Sequence, residues 1–329
     1  MPTNLNALSV PELYAEFAKT GLITKVIELA REEDLGPGES NWQGQDATSC
    51  AFVDDWLRGE ARLVARDAGV VAGLASVEEI LFLYKADVDF KAAVSDADRV
   101  GAGQVLGTLR GNLRSMLMAE RTLLNLLSRL SGIATRTAAY VAAAKVGGPA
   151  RVFDTRKTTP GLRLLEKYAV RCGGGHTHRL GLYDAVLIKD NHLASIREKA
   201  ARDGHGTDDL AKLVRRAARV ARIEAPRDGL RFVMLEVDSI EQLRVVLAGG
   251  AAGGGDDQVD TILLDNMSPE QLGACVALRD ELARGQVELE ASGGVSIETI
   301  GATAATGVDR ISVGGLTHSA QALDIAMDL

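Results

Sequence analysis

LRFVMLEVDSIEQLRVVLAGGAAGGGDDQVDTILLDN, residues 230–266, is the stretch that decides the fold. A strand-like run, Leu230–Val237, leads into a helical segment, Ser239–Ala248, and a second strand-like run, Val259–Asn266, follows. Between helix and strand, GGAAGGGDDQ (249–258) reads as a flexible surface loop. The same unit repeats outward. RVFDT (151–155) precedes a helix over 162–170, DAVLIKDN (184–191) one starting near His192, and another helix covers 208–223. VDTILLDN precedes a helix over 268–283 and VELEAS (287–292) one over 296–305, with VDRISVGG (308–315) last. Six such alternations predict a parallel sheet covered by helices, either open or closed into a barrel.

The residues before 151 have a different rhythm. Ser9 and Glu12 have capping-box spacing and open a helix carrying Leu13, Phe17 and Ala18. A second apolar face, Leu22, Val26, Leu29 and Ala30, runs on to Glu32, and EDLGPGESN (33–41) reads as a turn. Segments 48–53 and 60–66 read as short strands, Ser76 and Glu79 open another helix, and 86–111 contains strand fragments punctuated by glycine. GAGQVLG (101–107) is not a dinucleotide fingerprint, because its third glycine falls late and no long helix opens in it. A helix is predicted from Asn112 to Ser128, a break at SGIATRT (131–137), a second helix to Lys145, and helix again over 320–328.

The chain has 329 residues and a formal net charge of −8, which argues against nucleic acid as a partner. Aromatic content of 4% also leaves few bases-stacking platforms. No apolar run approaches the roughly 20 residues of a membrane span, and the N-terminus lacks a basic-then-apolar signal pattern. Cys50, Cys172 and Cys275 are widely spaced, which fits a reducing cytoplasm.

Against this acidic background, residues 151–197 gather nine Lys/Arg against four Asp/Glu, and three of the five histidines. Such a concentration in loop-rich sequence points to an anion site. The strand ends carry the rest of the signal: Asp154-Thr155-Arg156-Lys157, Lys189-Asp190-Asn191, Glu236, Asp265-Asn266, Ser292-Gly293-Gly294 and Gly314-Gly315. In a barrel these positions share one mouth. The paired glycines suit close approach to a phosphate. Glu236 and Asp265 suit magnesium, a ribose hydroxyl pair, developing positive charge, or general acid and base work. Cys172, His176 and His178 are a poor zinc set, given three intervening glycines and basic surroundings.

The motifs EDLGPG, AERTLLNLLSRLSGIATRT, DTRKTTPGLRLLEKYAVRCGGGHTHRLGLYDAVLIKDNH, LEVDS, ILLDNM, LEASGGV and GVDRISVGGLTHS occur between Glu33 and Ser319. In this order they resemble the quinolinate phosphoribosyltransferase family. The resemblance implies an N-terminal α/β sandwich domain (1–120, joined by 319–329) and an open, incomplete α/β barrel of parallel strands (121–318). It implies that 319–329 returns to the first domain, where a strand can replace the helix expected there. It also implies union of quinolinate with phosphoribosyl pyrophosphate, with magnesium as cofactor. Arg156, Lys157, His178 and Arg179 would receive the quinolinate carboxylates, with Arg121 entering from the partner of a homodimer. Lys157 and Lys189 would also meet phosphoribosyl pyrophosphate, and Glu236 and Asp265 its ribose and metal. Ser292, Gly293, Gly294, Val313, Gly314 and Gly315 would cradle the 5′-phosphate, and Thr155 and His318 complete the implied substrate set. Three rivals are a related phosphoribosyltransferase for another base, associated with molybdenum transport, a Schiff-base lyase using Lys189, and a non-catalytic phosphate-metabolite binder. The intact TRK and HTHR blocks count against the first.

Overall fold

The computed structural model describes residues 4–36, 46–202, 209–225, 229–253, 255–283 and 286–329. Its strands are β1 (Arg58–Ala65), β2 (Gly69–Val70), β3 (Val88–Ala92), β4 (Arg99–Val100), β5 (Val105–Asn112), β6 (Arg151–Phe153), β7 (Val186–Ile188), β8 (Val233–Val237), β9 (Thr261–Asp265), β10 (Glu288–Ser292), β11 (Arg310–Ser312) and β12 (Ile325–Asp328). The chain forms two compact units. One comprises Ala7–Ala138, Lys157–Gly175 and Gly315–Leu329; the other comprises Ala139–Arg156 and His176–Gly314, with the residues up to Asn6.

In the first unit, antiparallel strands pair in the order β12-β1-β5-β3. Along β1, Ala61, Leu63 and Ala65 are buried while Glu60 and Arg62 face out, the alternation of a sheet with one covered face. Leu13, Phe17, Ile23, Ile27 and Ile80 supply buried helical side chains, and Tyr84, just past the helix Val77–Leu83, is buried with them. Ser9 and Glu12 form the expected capping box, with the Ser9 amide donating to Glu12 Oε2 at 2.8 Å.

Several local expectations change here. Residues 47–52 form a helix rather than a strand, because Asp46 caps it by accepting from the Thr48 amide at 2.9 Å. The helix from Leu22 runs to Leu35, past Glu32, and residues 37–41 of the expected turn lie outside the described residues. One helix, Leu113–Gly147, replaces the two expected. The small residues of SGIATRT serve close packing instead of a break. Ser131 Oγ accepts from the Ala72 amide at 3.0 Å, and Thr135 Oγ1 from the Val70 amide at 2.8 Å. A Cβ on Gly132 would lie 2.0 Å from the Gln321 carbonyl oxygen. The C-terminal residues expected as helix include strand β12, since pairing with β1 satisfies their backbone groups.

The second unit is built on six parallel strands in the order β6-β11-β10-β9-β8-β7. From β7 to β11 sequence neighbours are sheet neighbours. The helices Asp190–Arg202, Leu210–Ile223, Ile240–Ala248, Pro269–Ala283 and Ile300–Ala305 each pack on the next. Helices that follow one another around one face make a singly wound barrel rather than a sheet covered on both faces. β6 and β7 are the two edges, so the barrel is open between them. Asp209 caps the helix expected from Asp208, which itself lies outside the described residues. In the glycine-rich loop, Gly254 lies outside the described residues, and Gln258 braces the rest by bonds to Gly250 O and the Gly255 amide, both 2.9 Å.

Candidate active site

Parallel pairing brings the C-terminal ends of β6 to β11 to one edge of the barrel unit, and register aligns them: Ser292 lies opposite both Asp265 and Ser312. Glu236 and Asp265 therefore end neighbouring strands. Lys189, at the exit of β7, places Nζ 2.5 Å from Glu236 Oε2. Its backbone is held by His192, whose Nδ1 accepts from the Lys189 amide at 3.0 Å. Asp265 Oδ2 accepts from Asn266 Nδ2 at 3.0 Å. A cavity of about 550 Å³ opens beside the two carboxylates, lined also by Asp190, Arg197, Leu235 and Gln242.

Arg156 and Arg179 supply the positive side. Burial first, and the charge of Arg156 second, lower the pKa of Arg179; Asp184 and Glu236 oppose that shift. The Nε of Arg156 is buried and has no hydrogen-bond partner among the described residues. Two guanidiniums within each other's field, one with a buried donor that has no partner among the described residues, can pair with an anion. The loop carrying Arg179 is fixed by Asp184, which accepts from the Leu180 and Gly181 amides at 2.8 Å and pairs with Arg231 at 3.1 Å.

His178 lies behind this edge, only 6% exposed. Its amide donates to Asp154 Oδ1 and its Nδ1 accepts from the Arg179 amide, each at 2.8 Å. Its Nε2 lies 3.3 Å from Glu290 Oε1, a close approach without the alignment of a hydrogen bond. The ring thus orients the Arg179 backbone and faces the interior. Glu290 is fully buried, and Arg310 Nε lies 2.7 Å from its Oε2, an ion pair by proximity without the alignment of a hydrogen bond. Burial would raise the Glu290 pKa, but His178 and Arg310 outweigh it and bring the carboxyl down to about 2. Sequence reading missed Glu290, Arg310, Asp184 and Arg231. For Glu290 there was a signal: a carboxylate in the middle of the strand-like run VELEAS.

The glycines after β10 differ from each other. Gly293 has φ +97°, and a Cβ there would sit 2.1 Å from Asn266 Oδ1. Gly294 has φ +62° and open space around it. Val313 and Gly314 follow β11, with Val313 buried and its amide bonded to Phe153 O at 2.9 Å. Thr155 and Arg156, both half-buried, follow β6.

Four expected residues belong to the other unit: Lys157, Gly315, His318 and Arg121. Lys157 is exposed, and Gly315 and His318 bound the short helix Gly315–His318. Arg121 stands on the long helix with its side chain 69% exposed, 2.8 Å from Glu120.

Residues 46–131 match the model of the quinolinate phosphoribosyl transferase N-terminal domain, and residues 133–328 that of its C-terminal domain. The chain belongs to the quinolinate phosphoribosyltransferase family. The C-terminal domain match contains every strand-end residue described above. A carboxylating nicotinate-nucleotide pyrophosphorylase from Mycobacterium leprae is 42% identical over 92% of this chain and 95% of its own length. A probable one from Bacillus subtilis is 38% identical over 90% of each. The solved nicotinate-nucleotide pyrophosphorylase from Francisella tularensis superposes with a TM-score of 0.78 at 31% identity, covering 100% of this chain and 99% of that one.

Proposed function

We infer that this chain is a decarboxylating quinolinate phosphoribosyltransferase of NAD biosynthesis. The carrying observation is near full-length similarity to carboxylating nicotinate-nucleotide pyrophosphorylases, and the action of the Arg156 charge on Arg179 agrees with it. In the reaction the pyridine nitrogen of quinolinate bonds to the anomeric carbon of phosphoribosyl pyrophosphate, and the bond to pyrophosphate breaks. The pyridinium so formed withdraws electrons, the adjacent carboxylate leaves as carbon dioxide, and that ring carbon takes a proton, giving nicotinate mononucleotide.

In this reading Arg156 and Arg179 pair with the quinolinate carboxylates, since guanidinium forks match carboxylates. His178 acts here by holding Arg179. Glu236 and Asp265 face the ribose and stabilise positive charge developing at its anomeric carbon. Lys189, already against Glu236, faces the phosphoribosyl group together with Lys157. Ser292, Gly293, Gly294, Val313, Gly314 and Gly315 take the 5′-phosphate, with Thr155 and His318 nearby in the same reading. Glu236 and Asp265 also fit magnesium: both are hard oxygen donors, and magnesium commonly binds one or two carboxylates plus substrate phosphates. Among the described residues no group of three metal-ligating side chains gathers, so the remaining ligands would be water and pyrophosphate. The metal, when bound, would neutralise charge on the leaving pyrophosphate.

The exposed Arg121 is assigned to the active site of a second copy in a homodimer. The enzyme is read as cytoplasmic, in keeping with three widely spaced cysteines. Among the described residues no helix is long and apolar enough to cross a membrane.

The test mixes protein, quinolinate, phosphoribosyl pyrophosphate and magnesium, then follows pyrophosphate and nicotinate mononucleotide. No product from folded protein would sink the assignment. Arg121→Ala and Lys157→Ala, each inactive alone, should regain activity when mixed as a dimer. Failure of that complementation would count against a shared site.

A further inference from the structure

A closed ring of hydrogen bonds runs through the unit that carries Lys157. Glu166, on the helix Arg163–Cys172, is completely buried, where an unpaired carboxylate would be costly. Its Oε1 accepts from Arg129 Nε at 3.2 Å, Arg129 Nη2 at 2.8 Å and Thr159 Oγ1 at 2.8 Å. Its Oε2 accepts from the Thr159 amide at 3.1 Å. Arg129, on the long helix, also donates to the carbonyls of Thr317 at 2.6 Å and Ala320 at 3.0 Å. Thr317 Oγ1 closes the ring by donating to the Lys157 carbonyl at 2.7 Å.

We propose that Arg129, Glu166 and Thr317 are positioning residues that hold the Lys157 segment and the Gly315–His318 helix as one rigid piece. The inference rests on the reading of Lys157, Gly315 and His318 as substrate-facing. Its physical basis is that the ring grips backbone rather than the functional side chains. Lys157 is held through its own carbonyl, and the segment after it through the Thr159 amide. The Gly315–His318 helix and its exit are held through the carbonyls of Thr317 and Ala320. The anchor points of Lys157 and of the Gly315–His318 helix therefore cannot drift apart. Arg129 is the joint, because one guanidinium serves both the carboxylate and the two carbonyls, a task that a lysine's compact ammonium cannot perform. The small misplacement that follows from opening such a ring is enough to slow a reaction whose catalysis is mostly orientation.

Thr317→Val is the mildest cut, since it removes one hydroxyl and nearly keeps the shape. Loss of one such bond is expected to lower kcat/KM for phosphoribosyl pyrophosphate about tenfold. Amide hydrogen exchange over residues 157–162 and 315–320 should speed up several-fold, while the urea midpoint stays close to wild type. Thr317→Ser should restore both readings. Glu166→Gln, which places an amide NH2 where the Thr159 amide needs an acceptor, should reproduce the exchange change. Wild-type exchange rates in Thr317→Val would overturn the proposal, as would faster exchange with unchanged kcat/KM. A wild type that makes no product would strike the activity assignment and the positioning role with it. Wild-type turnover beside an unaffected variant would strike the positioning role alone.

Discussion

The exposed edge of the barrel and the interior just behind it contain the same kinds of charge in opposite states. At the edge, the charge of Arg156 acts on Arg179, and a buried donor of Arg156 has no partner among the described residues. Behind it, Glu290 is enclosed between Arg310 and His178, with no exposure at all. Unmatched charge at a mouth keeps its field for an incoming anion. Matched charge in a dry interior has no such field to offer, and what it supplies is a fixed geometry. Breaking it is costly, because the surviving partner stays buried.

Glu290→Ala tests the interior side most severely. Arg310, 6% exposed, loses its nearer carboxylate and keeps only the 3.5 Å approach to Glu288, and unfolding in urea should show a loss of about 3 kcal/mol. The same pair sets a pH signature. Because the folded carboxyl titrates at about 2, below the unfolded range near about 4.3, its stabilisation is present above that range. It drains away as pH falls toward 2. Glu290→Gln should therefore flatten the stability profile in that acid window, and an unchanged profile would break the contrast. Arg156→Ala tests the edge. Turnover should fall roughly 10²–10³-fold while the urea midpoint holds or rises, since a like-charge neighbour of Arg179 has gone. A stability loss as large as that of Glu290→Ala would erase the distinction between the two regions. The smallest effects belong to the glycines. Gly294→Ala should cost about 1–2 kcal/mol from its left-handed backbone alone, and Gly293→Ala more, since Asn266 Oδ1 blocks its Cβ. Equal losses would mean that Asn266 moves aside.

Lys189, Glu236 and Asp265 were legible in the chain because each ends an apolar run, and parallel strands align their ends. Glu290 was not, although it stands in a strand that was read correctly. A charge between Leu289 and Ala291 looks the same whether it faces water or a buried arginine from another strand. SGIATRT misled for a related reason. Small residues weaken a helix in isolation, yet here Ser131, Gly132 and Thr135 let other backbone segments approach it. The segment expected as a strand over 48–53 misled locally, because the side chain of Asp46 caps a helix over Ala47–Phe52.

From sequence alone came the alternation of strand and helix, the cations of 151–197, the strand-end carboxylates and the family motifs. All of these are written in short-range pattern, where periodicity and composition act directly. Tertiary structure decided which edge strands leave the barrel open, and that β12 joins β1. It also decided which charges gather at the strand ends and which are locked behind them. Those outcomes depend on pairings between residues distant in the chain, and on burial, which turns the same carboxylate from a solvated group into a structural one.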